Sequence, residues 1–448
     1  MSSDAPRRSW ATPTRLVVLS FSILILAGTI LLVAPISATS GNVTRLIDAA
    51  FTATSAVCVT GLVVVNTASH WSVFGKVVIL ILLQVGGLGL MTFSTLHALF
   101  TGRRIGLRER VLIQEQTGQQ RLAGLVGLVR RIAVTTFAFE LAGALVLGIV
   151  IGRTRHLSLA GAAFQGLFHA VSAFCNAGFD ILGDSLVSFR TNAVVILTVG
   201  FLIIAGGIGF HVLVDLYANR FKWTSLSLHS RLALKVTAAL ILLGTFSFLA
   251  IEGRNPGTMG QMRFGDKLLS SWFQAVTPRT AGFNSIPEDR LLPAAAFLTM
   301  VLMFIGASPG GTGGGTKTTT FAVVATMLRA AIVGQHDVTV QKRRLPPDVV
   351  TKAVAILMLS LMLVVSATLV LTLTEDAPFL DLLFEATSAF GTVGLSRGVT
   401  PHLSDAGKLV LMMTMFAGRV GPLSLAIALS RGKSNSALRY PEERVTVG

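Results

Sequence analysis

The sequence predicts an all-α polytopic membrane protein, four pseudo-repeats of span, pore helix, filter and span around one central pore. Three observations predict it. Of 448 residues, 52% are hydrophobic and 13% charged, with mean hydropathy +0.72; soluble domains carry about 25% charged residues. Apolar stretches long enough to cross a bilayer recur along the chain. A short motif running from an aromatic residue to a glycine returns four times between them. This composition excludes a soluble enzyme, a disordered chain and a coiled coil. Two cysteines exclude a disulfide scaffold or a Cys-rich metal module.

A helix needs about 20 apolar residues to cross the hydrocarbon core. Eight stretches qualify: 16–36, 73–100, 132–151, 192–217, 233–251, 294–333, 349–373 and 407–429. The first follows Arg7, Arg8 and Arg15 and is longer than a signal-peptide core, so it reads as a retained helix. Segments 1–15, 101–131, 219–235, 328–352 and 431–448 hold 23 Lys/Arg, and the opposite side holds 12. The richer side is expected to be cytoplasmic, with both termini inside. The +16 net charge thus reads as basic loops beside lipid rather than a nucleic-acid surface.

The four motifs are Phe51 to Gly61, Phe168 to Gly178, Trp272 to Gly282 and Phe384 to Gly394, each an aromatic ten residues before a glycine. Ser55, Ser172 and Ser388 stand six before the glycine in three of them, and the glycines are 117, 104 and 112 residues apart. The spacing divides the chain into repeats at 1–117, 118–222, 223–340 and 341–448. Each motif is too short to cross and must return as extended chain. Irregular backbone at that depth is tolerated where it is buried or lines a watery cavity.

Four such half-helices aim their negative C-terminal ends at the axis, which favours a cation there. The extended segments then offer rings of backbone carbonyls in place of an ion's hydration shell, with glycine supplying positive φ. The expected filter is Cys58, Val59, Thr60 and Gly61; Cys175, Asn176, Ala177 and Gly178; Arg279, Thr280, Ala281 and Gly282; and Gly391, Thr392, Val393 and Gly394. Cys58 and Cys175 read as small thiols packed behind it.

Span six contains Gly306, Ser308, Pro309, Gly310, Gly311, Thr312, Gly313, Gly314, Gly315 and Thr316, then Lys317. Continuous helix through six glycines and a proline would cost roughly 9 kcal/mol against alanine. The helix therefore breaks, and the segment bulges into the pore below the filter. Gly306 to Gly310 also spells a nucleophile elbow, but Pro309 removes the oxyanion N–H that follows the serine. Thr316 before Lys317 spoils a phosphate loop, no βαβ unit supports a dinucleotide site, and the eight histidines lack ligand spacing.

Arg419 lies midway along span eight and reads as a cation below the filter, as a partner in an ion pair such as with Glu140 of span three, or as both. Glu375, Asp376, Asp381, Glu385 and Asp405 give the fourth repeat an acidic bias, which reads as a cation-concentrating mouth or as ordinary loop charge. A polytopic membrane enzyme is a rival reading, with Glu140 as the one carboxylate clearly inside a span. A secondary transporter with inverted repeats is another, but the repeats here are parallel.

SAVCVTGL, SAFCNAGFD, TPRTAGFN and SAFGTVGL, with FIGASPGGTGGGTK and FAGRVGP, resemble the Trk/Ktr/HKT superfamily of potassium transporters. The resemblance spans essentially the whole chain and is closest to the KtrB type of ion-conducting membrane subunit. It implies K⁺ uptake through one pore per chain in the inner (plasma) membrane, and a homodimer. It also implies a cytosolic nucleotide-binding (RCK-type) regulator ring, a segment 306–317 that acts as a gate with Arg419, and no organic cofactor. Na⁺ enters as an activator, and Na⁺ permeation or cotransport is the alternative. Glycine at all four filter positions goes with potassium preference. The motif includes Arg279, whose side chain is expected to point away from the axis. The tail from Arg431 ends in Val445, Thr446, Val447 and Gly448, apolar enough to suggest packing on a partner subunit.

Overall fold

The structure is a computed structural model that describes residues 13–89 and 125–429. Repeat one comprises α1 (Pro13–Val33), the short α2 (Leu46–Cys58) and α3 (Val73–Leu88). Repeat two comprises α4 (Leu125–Thr154), the short α5 (Leu159–Phe174), α6 (Ala193–Gly207) and α7 (Phe210–Ala218). Repeat three comprises α8 (Leu228–Glu252), the short α9 (Phe264–Val276), α10 (Pro293–Ile305) and α11 (Thr318–Val333). Repeat four comprises α12 (Pro347–Thr374), the short α13 (Phe379–Gly391), α14 (Asp405–Val420) and α15 (Pro422–Leu429). Between repeats three and four, β1 (Thr339–Val340) and β2 (Arg343–Arg344) pair antiparallel.

Local chemistry sets the helix starts. Ser72, Ser158, Ser227 and Ser404 each accept from a backbone N–H three residues on, at 3.1–3.2 Å, as N-cap hydroxyls do. α10, α12 and α15 begin with Pro293, Pro347 and Pro422, where a missing N–H costs nothing.

The eight expected spans divide into two kinds. Those opening each repeat are continuous: Arg15–Val33, Val129–Thr154, Leu228–Glu252 and Pro347–Thr374 are each long and apolar enough to cross a membrane. Their outward faces leave Ile30, Leu145, Phe246 and Leu369 at least 60% exposed, an apolar coat suited to lipid. The spans closing repeats two, three and four are interrupted, and not only that of repeat three as the sequence suggested. Stretch 192–217 bends by 93° between α6 and α7, at Gly209. Stretch 407–429 breaks between α14 and α15, at Gly421. α3 ends at Leu88 followed by Gly89, and the rest of stretch 73–100 lies outside the described residues. All three glycines have positive φ, at 80°, 98° and 93° for Gly89, Gly209 and Gly421. The C-terminal tail and segment 101–124 also lie outside the described residues.

The repeats close into a ring by one contact used four times. The helix closing each repeat packs on the short helix of the next: α3 on α5, α6 on α9, α10 on α13, and α14 back on α2. Within three repeats, Gly86, Gly206 and Gly418 let the closing helix also approach the short helix of its own repeat. A Cβ there would stand 2.2, 1.8 and 2.0 Å from the carbonyl oxygens of Val57, Phe174 and Phe390, in the last turn or so of the short helix of the same repeat.

Candidate functional site

Each short helix ends three to six residues before its motif glycine, and a hydroxyl fastens the turn. Ser55 Oγ accepts from Gly61 N–H at 3.0 Å, and Ser388 Oγ accepts from Gly394 N–H at 3.1 Å. Ser172 Oγ donates to the Phe179 carbonyl at 2.7 Å, and Thr277 Oγ1 donates to the Phe283 carbonyl at 2.5 Å. Repeat three therefore has its hydroxyl too, in Thr277, one residue nearer the glycine. The main chain shows the same shortening. Thr60, Ala177 and Val393 donate five residues back, to Ser55, Ser172 and Ser388, whereas Ala281 donates four back, to Thr277. The aromatic equivalent to Phe51, Phe168 and Phe384 is accordingly Phe273, fully buried like them. Trp272 is only half-buried and packs on Gly200 and Phe201.

Two residues before every glycine the backbone is left-handed without a glycine: Val59, Asn176, Thr280 and Thr392 have φ of 58°, 57°, 72° and 48°. Such residues cost about 1–3 kcal/mol each and persist where their surroundings over-determine them. Gly61, Gly178, Gly282 and Gly394 follow at φ of 92°, 69°, 79° and 96°.

The four glycines face one another in cyclic order. A Cβ on Gly61 would stand 2.5 Å from the Ala177 oxygen, on Gly178 2.8 Å from Ala281, on Gly282 2.2 Å from Val393, and on Gly394 2.2 Å from Thr60. Each of those carbonyls belongs to the residue before the next repeat's glycine. The ring is thus made of backbone, which explains how Thr60, Ala177, Ala281 and Val393 can differ in side chain.

Directly against this ring lies the glycine-rich segment between α10 and α11. Ser308 and Thr312 N–H donate to the carbonyls of Gly207 and Gly206 at 2.9 and 3.1 Å, and Thr312 Oγ1 donates to the Phe174 carbonyl at 3.1 Å. The segment in turn accepts from Phe210 N–H through the Gly310 carbonyl at 2.9 Å. A Cβ on Gly313 would meet Thr280 Oγ1 at 1.9 Å, and one on Gly314 would meet Thr392 Oγ1 at 2.2 Å. The segment therefore touches the left-handed residues of repeats three and four, and only glycine leaves the room. Lys317 Nζ folds back onto the Gly313 and Gly314 carbonyls at 2.6 and 3.3 Å.

Arg419 does not pair with Glu140. Its guanidinium donates to the carbonyls of Thr312, Gly86 and Gly87, the last at 3.3 Å. It ties the glycine-rich segment to the end of α3. Glu140 instead accepts from Gln84 Nε2 at 3.2 Å. Arg279 is buried and donates to Thr237 Oγ1 of α8 at 3.1 Å, away from the ring. Cys58 and Cys175 are buried free thiols.

The acidic bias of repeat four is largely structural, which corrects the mouth reading. Asp381 pairs with Arg397 at 2.5 Å and Asp405 with Arg45 at 3.0 Å. Glu385 accepts from Ser396, Arg397 N–H and Thr400 at 2.5–3.0 Å, and Glu375 accepts from Ser404 at 2.5 Å. Asp376 is exposed. The sequence reading also missed a buried pair joining repeats one and four, Lys408 Nζ to Asp48 Oδ1 at 2.7 Å. A basic residue inside an apolar stretch, 360 positions from its acid, was its only signal.

A carbonyl-lined ring inside four helical repeats, with a glycine-rich segment against its turns and a guanidinium tied to that segment, is the architecture of a transmembrane cation transport protein. A sequence profile of the cation transport proteins named TrkH matches residues 3–437, and the chain belongs to that family. It is 42% identical to the Ktr system potassium uptake protein B of Bacillus subtilis over 98% of this chain and 97% of the other. It is 39% identical to the potassium/sodium uptake protein NtpJ of Enterococcus hirae, over 98% of each chain. The fold matches the crystal structure of the potassium transporter TrkH from Vibrio parahaemolyticus with a TM-score of 0.75 at 19% identity. That match covers 95% of this chain and 87% of the other.

Proposed function

We propose that this chain is the potassium-conducting subunit of a Ktr-type uptake system. The single observation carrying the reading is the closed ring of four backbone carbonyls, one from each repeat, at the level of Gly61, Gly178, Gly282 and Gly394. Residues 58–61, 175–178, 279–282 and 391–394 form the filter, and their carbonyls replace the hydration shell of K⁺. The segment from Gly306 to Lys317 is the gate. It rests against Thr280 and Thr392 of the filter turns, and Arg419 holds it there while adding a positive charge beneath the path. The four-repeat division of the chain, the homodimer and a cytosolic nucleotide-binding ring that moves the gate complete the reading. Both termini then face the cytoplasm, in the plasma membrane.

A Na⁺-permeable or Na⁺/K⁺-cotransporting protein of the same superfamily is the second reading. The likeness to a potassium/sodium uptake protein favours it. Flux into proteoliposomes holding the purified full-length protein, with K⁺, Rb⁺ and Na⁺ offered separately and together, decides between them. K⁺ and Rb⁺ uptake well above Na⁺ uptake supports the first. Equal Na⁺ entry, or K⁺ entry that requires Na⁺, supports the second. No cation flux overturns both.

A further inference from the structure

Behind the second filter turn stands a carboxylate that repeats one and three replace with isoleucine. Gly28, Gly143 and Gly244 mark the same place in α1, α4 and α8. Each faces a leucine of the closing helix (Leu82, Leu202, Leu302) and an alanine of the short helix (Ala53, Ala170, Ala275). Three residues earlier come Ile25, Glu140 and Ile241. Ile25 packs with the apolar cluster that contains Cys58. Glu140, 3% exposed, has no such hydrocarbon role.

Its contacts run to the filter instead. Oε2 accepts from Gln84 Nε2 at 3.2 Å, and Oε1 accepts from the Cys175 thiol at 3.8 Å, a sulfur distance. The same thiol lies 3.8 Å from Gln84 Oε1 and packs on Gly87. Cys175 directly precedes left-handed Asn176 and stands two before Ala177, whose carbonyl faces Gly61. A carboxylate inside a span is retained where it performs a task, and here the group within reach is the turn itself.

We infer that Glu140 is a positioning residue that sets ion selectivity, fixing the second carbonyl turn through the Cys175 thiol and the Gln84 amide. This rests on the filter reading above. With the carboxylate in place, Cys175 cannot swing and the Ala177 carbonyl holds its place in the ring. Without it the turn relaxes, and the ring loses its discrimination between a larger ion and a smaller one.

The test is uptake of K⁺ and Na⁺ into proteoliposomes by the full-length protein, with monodispersity and thermal stability checked for each variant. Glu140→Ile makes repeat two resemble repeats one and three. It is expected to lower the K⁺/Na⁺ uptake ratio about fivefold and to raise the KM for K⁺ more than it lowers the maximal rate. Cys175→Ala should give the same split, Cys175→Ser should restore the ratio because a hydroxyl keeps the donor, and Glu140→Ile with Cys175→Ala should be no worse than either alone. Gly178→Ser serves as the filter control. If it lowers the ratio while Glu140→Ile and Cys175→Ala do not, the inference is overturned and the filter stands. If Gly178→Ser leaves the ratio unchanged, the filter reading fails and takes the inference with it. Should Glu140→Ile not fold, equal ratios in Cys175→Ala and Cys175→Ser would overturn the inference unaided.

Discussion

Single residues carry the geometry of the ring. A hydroxyl can sit five or six positions before its glycine because what matters is where its oxygen ends, not its place along the chain: Thr277 reaches the Phe283 carbonyl as Ser172 reaches Phe179. The glycines have no such latitude. At Gly61, φ of 92° alone costs a side-chain-bearing residue about 1–2 kcal/mol, and a Cβ would press on the Ala177 carbonyl. Gly61→Ser is expected to displace that carbonyl and offer a hydroxyl ligand in exchange. The K⁺/Na⁺ uptake ratio should fall about tenfold, equivalent to about 1.4 kcal/mol between the two ions. An unaltered ratio in proteoliposomes would remove Gly61 from the filter.

At the scale of elements, the interruption of the closing spans matters most. α6 and α7 part at Gly209, and the Pro309 and Gly310 carbonyls enter the space this opens. The broken helices thereby supply the backbone donors and acceptors that hold residues 308–312 inside the membrane. If this segment is the proposed gate, deleting 310–315 removes it. K⁺ flux without a regulator is expected to rise on the order of tenfold, as for a barrier lowered by about 1.4 kcal/mol. Arg419→Ala, which frees the Thr312 carbonyl, should act in the same direction and more weakly. Loss of flux in both variants, with the protein still folded, contradicts the gate.

The loop between the third turn and α10 has a separate sensitivity. Glu288 is buried there and accepts from Gln274 Nε2 at 2.7 Å. Burial pushes its carboxyl up to about 8, against the opposing pull of the Gln274 hydrogen bond and the Arg397 charge, with Glu252 and Asp289 adding to the rise. The unfolded chain gives up this proton first as pH rises. The stability gained is therefore complete below the ordinary carboxylate range and drains away as pH climbs toward about 8. Thermal unfolding in detergent should show the wild type losing roughly a few kcal/mol over that window relative to Glu288→Gln. Parallel pH profiles for the two proteins would show that Glu288 is ionised in the fold.

Across the whole molecule, the four repeats stand in sequence order around one axis because each closing helix seats the next short helix. The last such contact, α14 on α2, is the one that spans the chain, and Lys408 with Asp48 reinforces it. The tail after Leu429 lies outside the described residues, and we propose that it packs Val445 and Val447 on the partner subunit of the homodimer. Two buried valines contribute roughly 3–5 kcal/mol at most. Removing 445–448 should shift a detergent-solubilised dimer toward monomer. Native mass spectrometry finding the truncated protein as dimeric as the intact one would end the idea of a clasp.

Composition, the long opening spans, the four glycine motifs and the helix break after Gly306 were legible in the sequence, because each is a local or periodic property. Hydrophobic length makes a span, and six glycines with a proline unmake a helix whatever surrounds them. Other features were decided only in three dimensions. Gly86-Gly87-Leu88-Gly89, Gly206-Gly207-Ile208-Gly209 and Gly418-Arg419-Val420-Gly421 repeat a signal for the broken closing spans, yet isolated glycines are tolerated in helices. The carbonyls of Val57, Phe174 and Phe390 show why these glycines are needed. Phe273 took the place expected for Trp272 because burial follows the helix face, not the count back from the glycine. Arg419 left Glu140 for three carbonyls because charge sign alone makes a carboxylate the natural partner, and only the packing of α14 against α3 and the glycine-rich segment brings those oxygens within reach.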